Sequence, residues 1–137
     1  MQGFELDPRL ARDTLPVTVL NLSEVRLMND RRFPWAILVP RRPGITEIFE
    51  LRPLDQVLLS FETLSLADGM KRVFGAKKMN IAALGNMVPM LHTHVIARFD
   101  TDAAWPAPVW GVGTAEPYSP EEAARMTDLI RNAALPS

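Results

Sequence analysis

The 137-residue chain contains no cysteine, which removes disulfides, thiolate nucleophiles and cysteine-based zinc sites from consideration. It also has little net charge. With 15 basic and 16 acidic residues the formal balance is -1, so no global field draws it to nucleic acid polymers or to an anionic membrane. Short basic pairs at Arg31-Arg32 and Arg41-Arg42 read as solvated loop charges. No apolar run reaches the roughly 20 residues that a membrane-spanning helix needs. The segment Met1-Gln2-Gly3-Phe4-Glu5-Leu6-Asp7 has neither the basic nor the apolar stretch of a signal peptide. The expectation is therefore a cytoplasmic protein without a membrane partner. Histidine is scarce as well: the chain has two, and they stand one residue apart.

What is present is ordinary for a globular chain, with 47% hydrophobic and 23% charged residues and a length that fits one domain over 1–137. Asp7-Pro8 offers an N-cap followed by proline at the first helical position, so a short helix is expected there. Leu15 to Leu22 and Val25 to Met28 read as strands, and Asn29-Asp30-Arg31-Arg32 supplies turn chemistry. Trp35 to Val39 is a continuous apolar run between Pro34 and Pro40, as expected of a central strand paired antiparallel with its predecessor. From Pro53 the period changes. Leu54, Val57, Leu58, Phe61 and Leu64, continued by Leu66, Met70, Val73 and Phe74, predict a main helix ending near Gly75 with this stripe in the core. Lys78 to Ala83 suggests a strand, Leu84-Gly85-Asn86 breaks it, and Leu91 to Phe99 follows as another. Ser119-Pro120-Glu121-Glu122 matches a capping box for a C-terminal helix to about Ala133. The sum is an α+β fold with about five strands, one main helix and a C-terminal helix. The proline-rich Trp105 to Gly111 segment, with two of the three tryptophans, is expected to cover a site or an interface, or to pack on the core.

His92 and His94 lie in Met90-Leu91-His92-Thr93-His94-Val95-Ile96. Residues two apart on a strand share a face, so both imidazoles leave the same side of the sheet. Three chemistries fit such a pair. Metal binding would need further ligands, and only carboxylates such as Asp100 and Asp102 remain to supply them. Two core imidazoles filling hydrogen-bonding niches are a second possibility. The third is nucleophilic catalysis, in which one ring nitrogen attacks while the other is held by an acceptor, and this suits phosphoryl or nucleotidyl transfer.

The stretch Gly85-Asn86-Met87-Val88-Pro89-Met90-Leu91-His92-Thr93-His94-Val95-Ile96-Ala97-Arg98 resembles the signature of the histidine-triad (HIT) family, in which three histidines alternate with apolar residues. Asn29 to Pro40 resembles the family's first hairpin, so that with the helix from Pro53 the likeness spans about 15–99, leaving a C-terminal loop and helix over 100–137. The resemblance implies an antiparallel sheet with one main helix, commonly as a homodimer, with no metal or other cofactor in the catalytic motif. It implies a nucleotide hydrolase or transferase acting at the α-phosphate of dinucleoside polyphosphates or nucleoside phosphoramidates through a covalent histidine intermediate. The alternative it leaves is a non-catalytic or weakly active nucleotide-binding protein. By position, His92 corresponds to the nucleophile and His94 to the histidine that contacts phosphate. Asn29 corresponds to a residue near the nucleoside, and Gly85 and Asn86 to the phosphate loop; plain turns are the other reading of all three. Met90 takes the first triad position and is grouped with the substrate-binding residues, its carbonyl being placed to hold His92. Trp35 stands near where many members carry a further histidine, and Thr93 replaces an apolar residue.

Overall fold

A computed structural model describes residues 3–134; Met1, Gln2 and residues 135–137, which the expected domain span includes, lie outside it. Helix α1 (Pro8–Asp13) begins as its sequence suggests, with the Asp7 carboxylate accepting the Arg9 amide. Strands β1 (Thr14–Val19) and β2 (Ser23–Met28) follow. Pro16 is tolerated in β1 because β1 is an edge strand and its register with β2 shifts between Pro16 and Thr18. Strand β3 (Trp35–Pro40) is buried along its whole length, as is β5 (Thr93–Arg98), while β4 (Lys78–Ala82) is a partly exposed edge. The five strands form one antiparallel sheet in the order β1-β2-β3-β5-β4, with α2 (Pro53–Phe74) between β3 and β4 and α3 (Pro120–Ala134) at the end. The fold is α+β.

Alternation along the strands divides the interior in two. Val25, Leu27, Ala36, Leu38, Val95 and Ala97 face α2 and α3, where they meet Leu66, Met70 and Ile130. Trp35, Ile37, Val39 and Ile96 face the other way, under Leu10 of α1 and under Ala104 and Val109 of the segment after β5. Helices α2 and α3 approach closely at Gly69, where a Cβ would collide with the Ala133 carbonyl oxygen, so glycine is required there. The capping box of α3 forms in both directions between Ser119 and Glu122.

The expected core stripe of α2 is only half correct. Leu66 and Met70 are buried, but Leu54, Val57, Phe61 and Leu64 are 61–73% exposed and Val73 is exposed too. The core-facing side of the helix instead carries Asp55, Leu59, Glu62, Thr63, Ala67 and Gly69. Glu62 accepts the amides of Leu22 and Ser23, and Asp55 makes a two-pronged pair with Arg42. Counting apolar residues merged two faces into one because the inward face owes part of its burial to such polar tethers. The basic pairs likewise are not free loop charges. Arg31 pairs with Glu116, Arg32 with Asp30, and Arg41 donates to the Leu20 and Asn21 carbonyls.

Candidate active site

His92 lies immediately ahead of β5 and His94 is the second residue within it. His94 pairs with Ile37 of β3 on one side and Ala82 of β4 on the other, so its ring is held in the middle of the sheet. The loop that leads to the pair turns at Gly85, whose φ of 76° is the left-handed conformation that glycine adopts without a Cβ penalty. The two imidazoles meet edge to face with centroids 4.9 Å apart, so the expected shared face is observed.

Their hydrogen bonds assign opposite tautomers. His92 Nδ1 lies 2.7 Å from the Met90 carbonyl oxygen. A carbonyl only accepts, so Nδ1 carries the proton and Nε2 is left with its lone pair. His94 Nδ1 lies 3.0 Å from Trp35 Nε1. An indole N–H only donates, so His94 Nδ1 is the acceptor and the proton of the neutral ring sits on Nε2. One ring therefore offers an electron pair and its neighbour offers a proton for hydrogen bonding. Burial, reinforced by the charge His92 would carry, pushes the His94 imidazole down from its ordinary value to about 3. The ring stays neutral throughout the physiological range.

That depression has a measurable consequence for stability. In the unfolded chain a histidine takes up its proton near pH 6.5, whereas folded His94 does so only near 3. Between these values the unfolded state binds the extra proton. Stability is thus intact above pH 6.5 and falls by about 1.4 kcal/mol for each unit of pH below it. Urea midpoints at pH 7.5 and 5.5 test this above the carboxylate range. Wild type should lose stability over the interval while His94→Asn should not, and parallel losses in both would contradict the assignment.

The walls are aromatic and apolar. Trp110 packs edge-on against both His94 and Trp35, with centroids at 5.0 and 5.8 Å. The segment after β5 thus covers the site. The sulfur of Met90 turns away to accept the Asp7 amide at 3.4 Å, and Arg9, paired with Asp7, donates to the Met87 carbonyl. His92 opens into a cleft of about 220 Å³ lined by Gly85, Leu91 and the Thr46–Phe49 segment. Trp110 also borders a groove of about 600 Å³ along β4, shared with Lys78, Asn80 and Trp105.

Of the residues singled out from sequence, His92, His94, Met90 and Gly85 come together here. Asn86 is exposed next to Gly85 in the loop. Asn29 does not join them: its side-chain oxygen accepts the Tyr118 amide at 2.9 Å, which fits the turn reading. The carboxylates weighed as metal ligands are committed elsewhere, Asp102 to Arg98 and Asp100 to Lys77. Among the described residues no group of three or more histidine, aspartate or glutamate side chains is placed to hold a metal. No helix there is long and apolar enough to cross a membrane.

Sequence reasoning missed two supports of this site. From sequence Trp35 is a departure from the family pattern; in the structure it is the hydrogen-bond partner of His94. Arg98, at the end of the motif, is fully buried between the rings of Phe33 and Trp105 and holds Asp102, Asn80 and the Ala107 carbonyl. An arginine two strand positions beyond an apolar residue on the histidine face was the available signal. Burial pushes the Asp102 carboxyl up, but Arg98 and the Phe99 and Ala104 amides outweigh it and hold it at about 2.

Residues 12–101, the greater part of the chain, match the HIT domain family. The chain belongs to this family. The HIT domain is also recognisable in three solved structures that the chain resembles over nearly its full length. A histidine triad protein from Sinorhizobium meliloti 1021 is 55% identical with a TM-score of 0.93, over 95% of this chain and 96% of that one. One from Marinobacter aquaeolei VT8 is 47% identical with a TM-score of 0.94, over 97% of each. One from Bradyrhizobium japonicum is 40% identical with a TM-score of 0.95, over 98% of this chain and all of that one. No curated protein sequence matches. The HIT family includes nucleotide-binding hydrolases and transferases.

Proposed function

We propose that this HIT protein hydrolyses or transfers nucleotides at the α-phosphate of dinucleoside polyphosphates or nucleoside phosphoramidates, with His92 as nucleophile. The observation that carries this reading is the His92 tautomer. The Met90 carbonyl accepts the hydrogen bond of Nδ1–H at 2.7 Å and leaves a lone pair on Nε2 of a ring that lines the cleft. The backbone supplies this support, so the methionine side chain at the first triad position does not withdraw it. Nε2 bonds to the α-phosphorus as the bond to the leaving group breaks, and the leaving group departs with the electron pair. Water then attacks the nucleotidyl-histidine, the N–P bond breaks, the pair returns to Nε2, and nucleoside monophosphate is released as the water's proton passes to solvent. His94 donates from Nε2 to a non-bridging oxygen, where negative charge gathers. The Gly85-Asn86 loop borders the phosphate.

The test is AMP release from diadenosine tetraphosphate and from adenosine phosphoramidate, with acid-labile adenylate sought by mass spectrometry on the peptide that carries His92. Turnover with the adduct on His92 is expected. Calorimetric binding of AMP without release of any product would leave a binding protein instead.

We further propose that two copies associate through α2 and β4. Leu54, Val57, Phe61 and Leu64 present an exposed apolar face on α2, and Ile81 lies exposed on the edge strand beside it. Between them is a groove of about 330 Å³ lined by Leu64, Ile81 and Thr93, and the buried Thr93 hydroxyl has no hydrogen-bond partner among the described residues. An apolar face continuous with an open sheet edge is the pattern of a surface meant to be covered. Light scattering should return twice the chain mass for wild type and the chain mass for Phe61→Glu, Leu64→Glu. A monomeric wild type would refute the dimer.

A further inference from the structure

Trp35 does more than fill space in the histidine face. We propose that Trp35 is a positioning residue that locks His94 as a neutral Nε2–H donor, and that this confines the site to leaving groups that depart as anions without taking a proton. The inference rests on the nucleotidyl-transfer reading above and narrows its substrate class to phosphoanhydrides.

The argument begins with the indole N–H, which points at His94 Nδ1 from 3.0 Å. Protonating His94 would place a second N–H against that donor, and the two would have to separate inside a packed aromatic cluster. Trp35 cannot withdraw easily: it is buried, with Phe33 edge-on at 6.4 Å and Trp110 at 5.8 Å. From every element around His94 the neighbours are non-titrating apart from His92: Trp35 and Ile37 of β3, Ala82 of β4, and Trp110 of the covering segment. Near His92 the charged groups are Asp7, which its hydrogen bonds with Arg9 hold below the ordinary carboxylate range, and Glu47 across the cleft. The first triad position offers a thioether, which has no proton to give. The His92 Nδ1 proton is engaged by the Met90 carbonyl. No side chain in this set is an acid of suitable strength.

The consequence follows from the balance of the first step. As His92 Nε2 bonds to phosphorus, the bridging atom receives the electron pair. A phosphoanhydride oxygen keeps it as a terminal phosphate anion, and His94 need only donate a hydrogen bond. A phosphoramidate nitrogen must gain a proton in the same step, and the locked His94 could supply one only by becoming an imidazolate. General acid catalysis contributes about 10²- to 10⁴-fold where it operates. Its absence should therefore appear as selectivity between the two substrate types.

Two measurements test the proposal. With two histidines in the chain, ¹⁵N-histidine spectra are simple to assign. Wild-type His94 should show a pyridine-like Nδ1 and a pyrrole-like Nε2 unchanged from pH 8 to 5, and Trp35→Phe should lose that pattern. A His94 that titrates in this range, or that carries its proton on Nδ1, overturns the lock. Second, kcat/KM for diadenosine tetraphosphate should exceed that for adenosine phosphoramidate by about 100-fold or more in wild type. In Trp35→His, whose imidazole can accept as well as donate, the ratio should shrink by about 10-fold and phosphoramidate turnover should acquire an acid limb in its pH profile. Equal turnover of both substrates by wild type, or a ratio unmoved in Trp35→His, overturns the selectivity. Failure to release AMP from either substrate, with the ¹⁵N pattern intact, overturns the nucleotidyl-transfer reading and the selectivity together while the lock stands.

Discussion

His92→Ala is expected to reduce AMP release from diadenosine tetraphosphate by roughly 10³- to 10⁶-fold, the range for loss of a covalent nucleophile. The ring it removes is the one whose Nε2 lone pair is exposed by the Nδ1 bond to the Met90 carbonyl. His94 cannot take its place, because its own Nδ1 is occupied by Trp35 and its Nε2 carries the proton. Affinity for AMP should change far less than turnover, since the imidazole contributes to the reacting state more than to ground-state binding. Rate measurements with the purified variant, alongside calorimetric AMP binding, check both halves. Equal rates for variant and wild type would remove His92 from the mechanism.

Asp102→Ala carries the largest expected cost to the fold. Arg98 and Asp102 are an ion pair with side chains only 2% and 5% exposed, joined by bonds of 2.8 and 3.1 Å. Asp102 also accepts the amides of Phe99, Ala104 and Trp105, and so ties down the segment that brings Trp110 over His94. Removing the carboxylate leaves a guanidinium buried without its counter-charge, which typically costs about 3–5 kcal/mol. Thermal denaturation should show a midpoint lowered by roughly 10 °C or more. Arg98→Met, Asp102→Leu should recover part of the loss, because the stranded charge disappears with its partner. A single variant as stable as wild type would show that water already reaches Arg98. The same variant should weaken catalysis secondarily, through a looser Trp110.

Much of this molecule is written locally. The presence and order of the strands, the Asp7 and Ser119 caps, and the turn at Gly85 depend on neighbours a few residues away, and the sequence alone determined them. The bounds of two strands differ, since β1 ends at Val19 and not Leu22 and the histidine strand begins at Thr93 and not Leu91. The spacing of His92 and His94 predicts rings on a shared face by strand alternation, and the rings do meet, although β5 begins only at Thr93, between them. The placement of α2 was legible for the same reason, since helical periodicity is a local property.

Tertiary structure alone decided which side of α2 faces inward. Leu66 and Leu64 are equally apolar, and only the positions of β5 and α3 make one core and the other surface. It likewise decided that Asn29 would bind Tyr118, 89 residues away, and that Arg98 would be buried between two aromatic rings. The protonation of His94 belongs to this second group, whereas the carbonyl that holds His92 stands two residues away. Each imidazole has two nitrogens of similar basicity, and its hydrogen-bond partner selects between them. The choice is made by a carbonyl for His92 and, for His94, by an indole 59 positions earlier that meets the ring only when β3 and β5 pair.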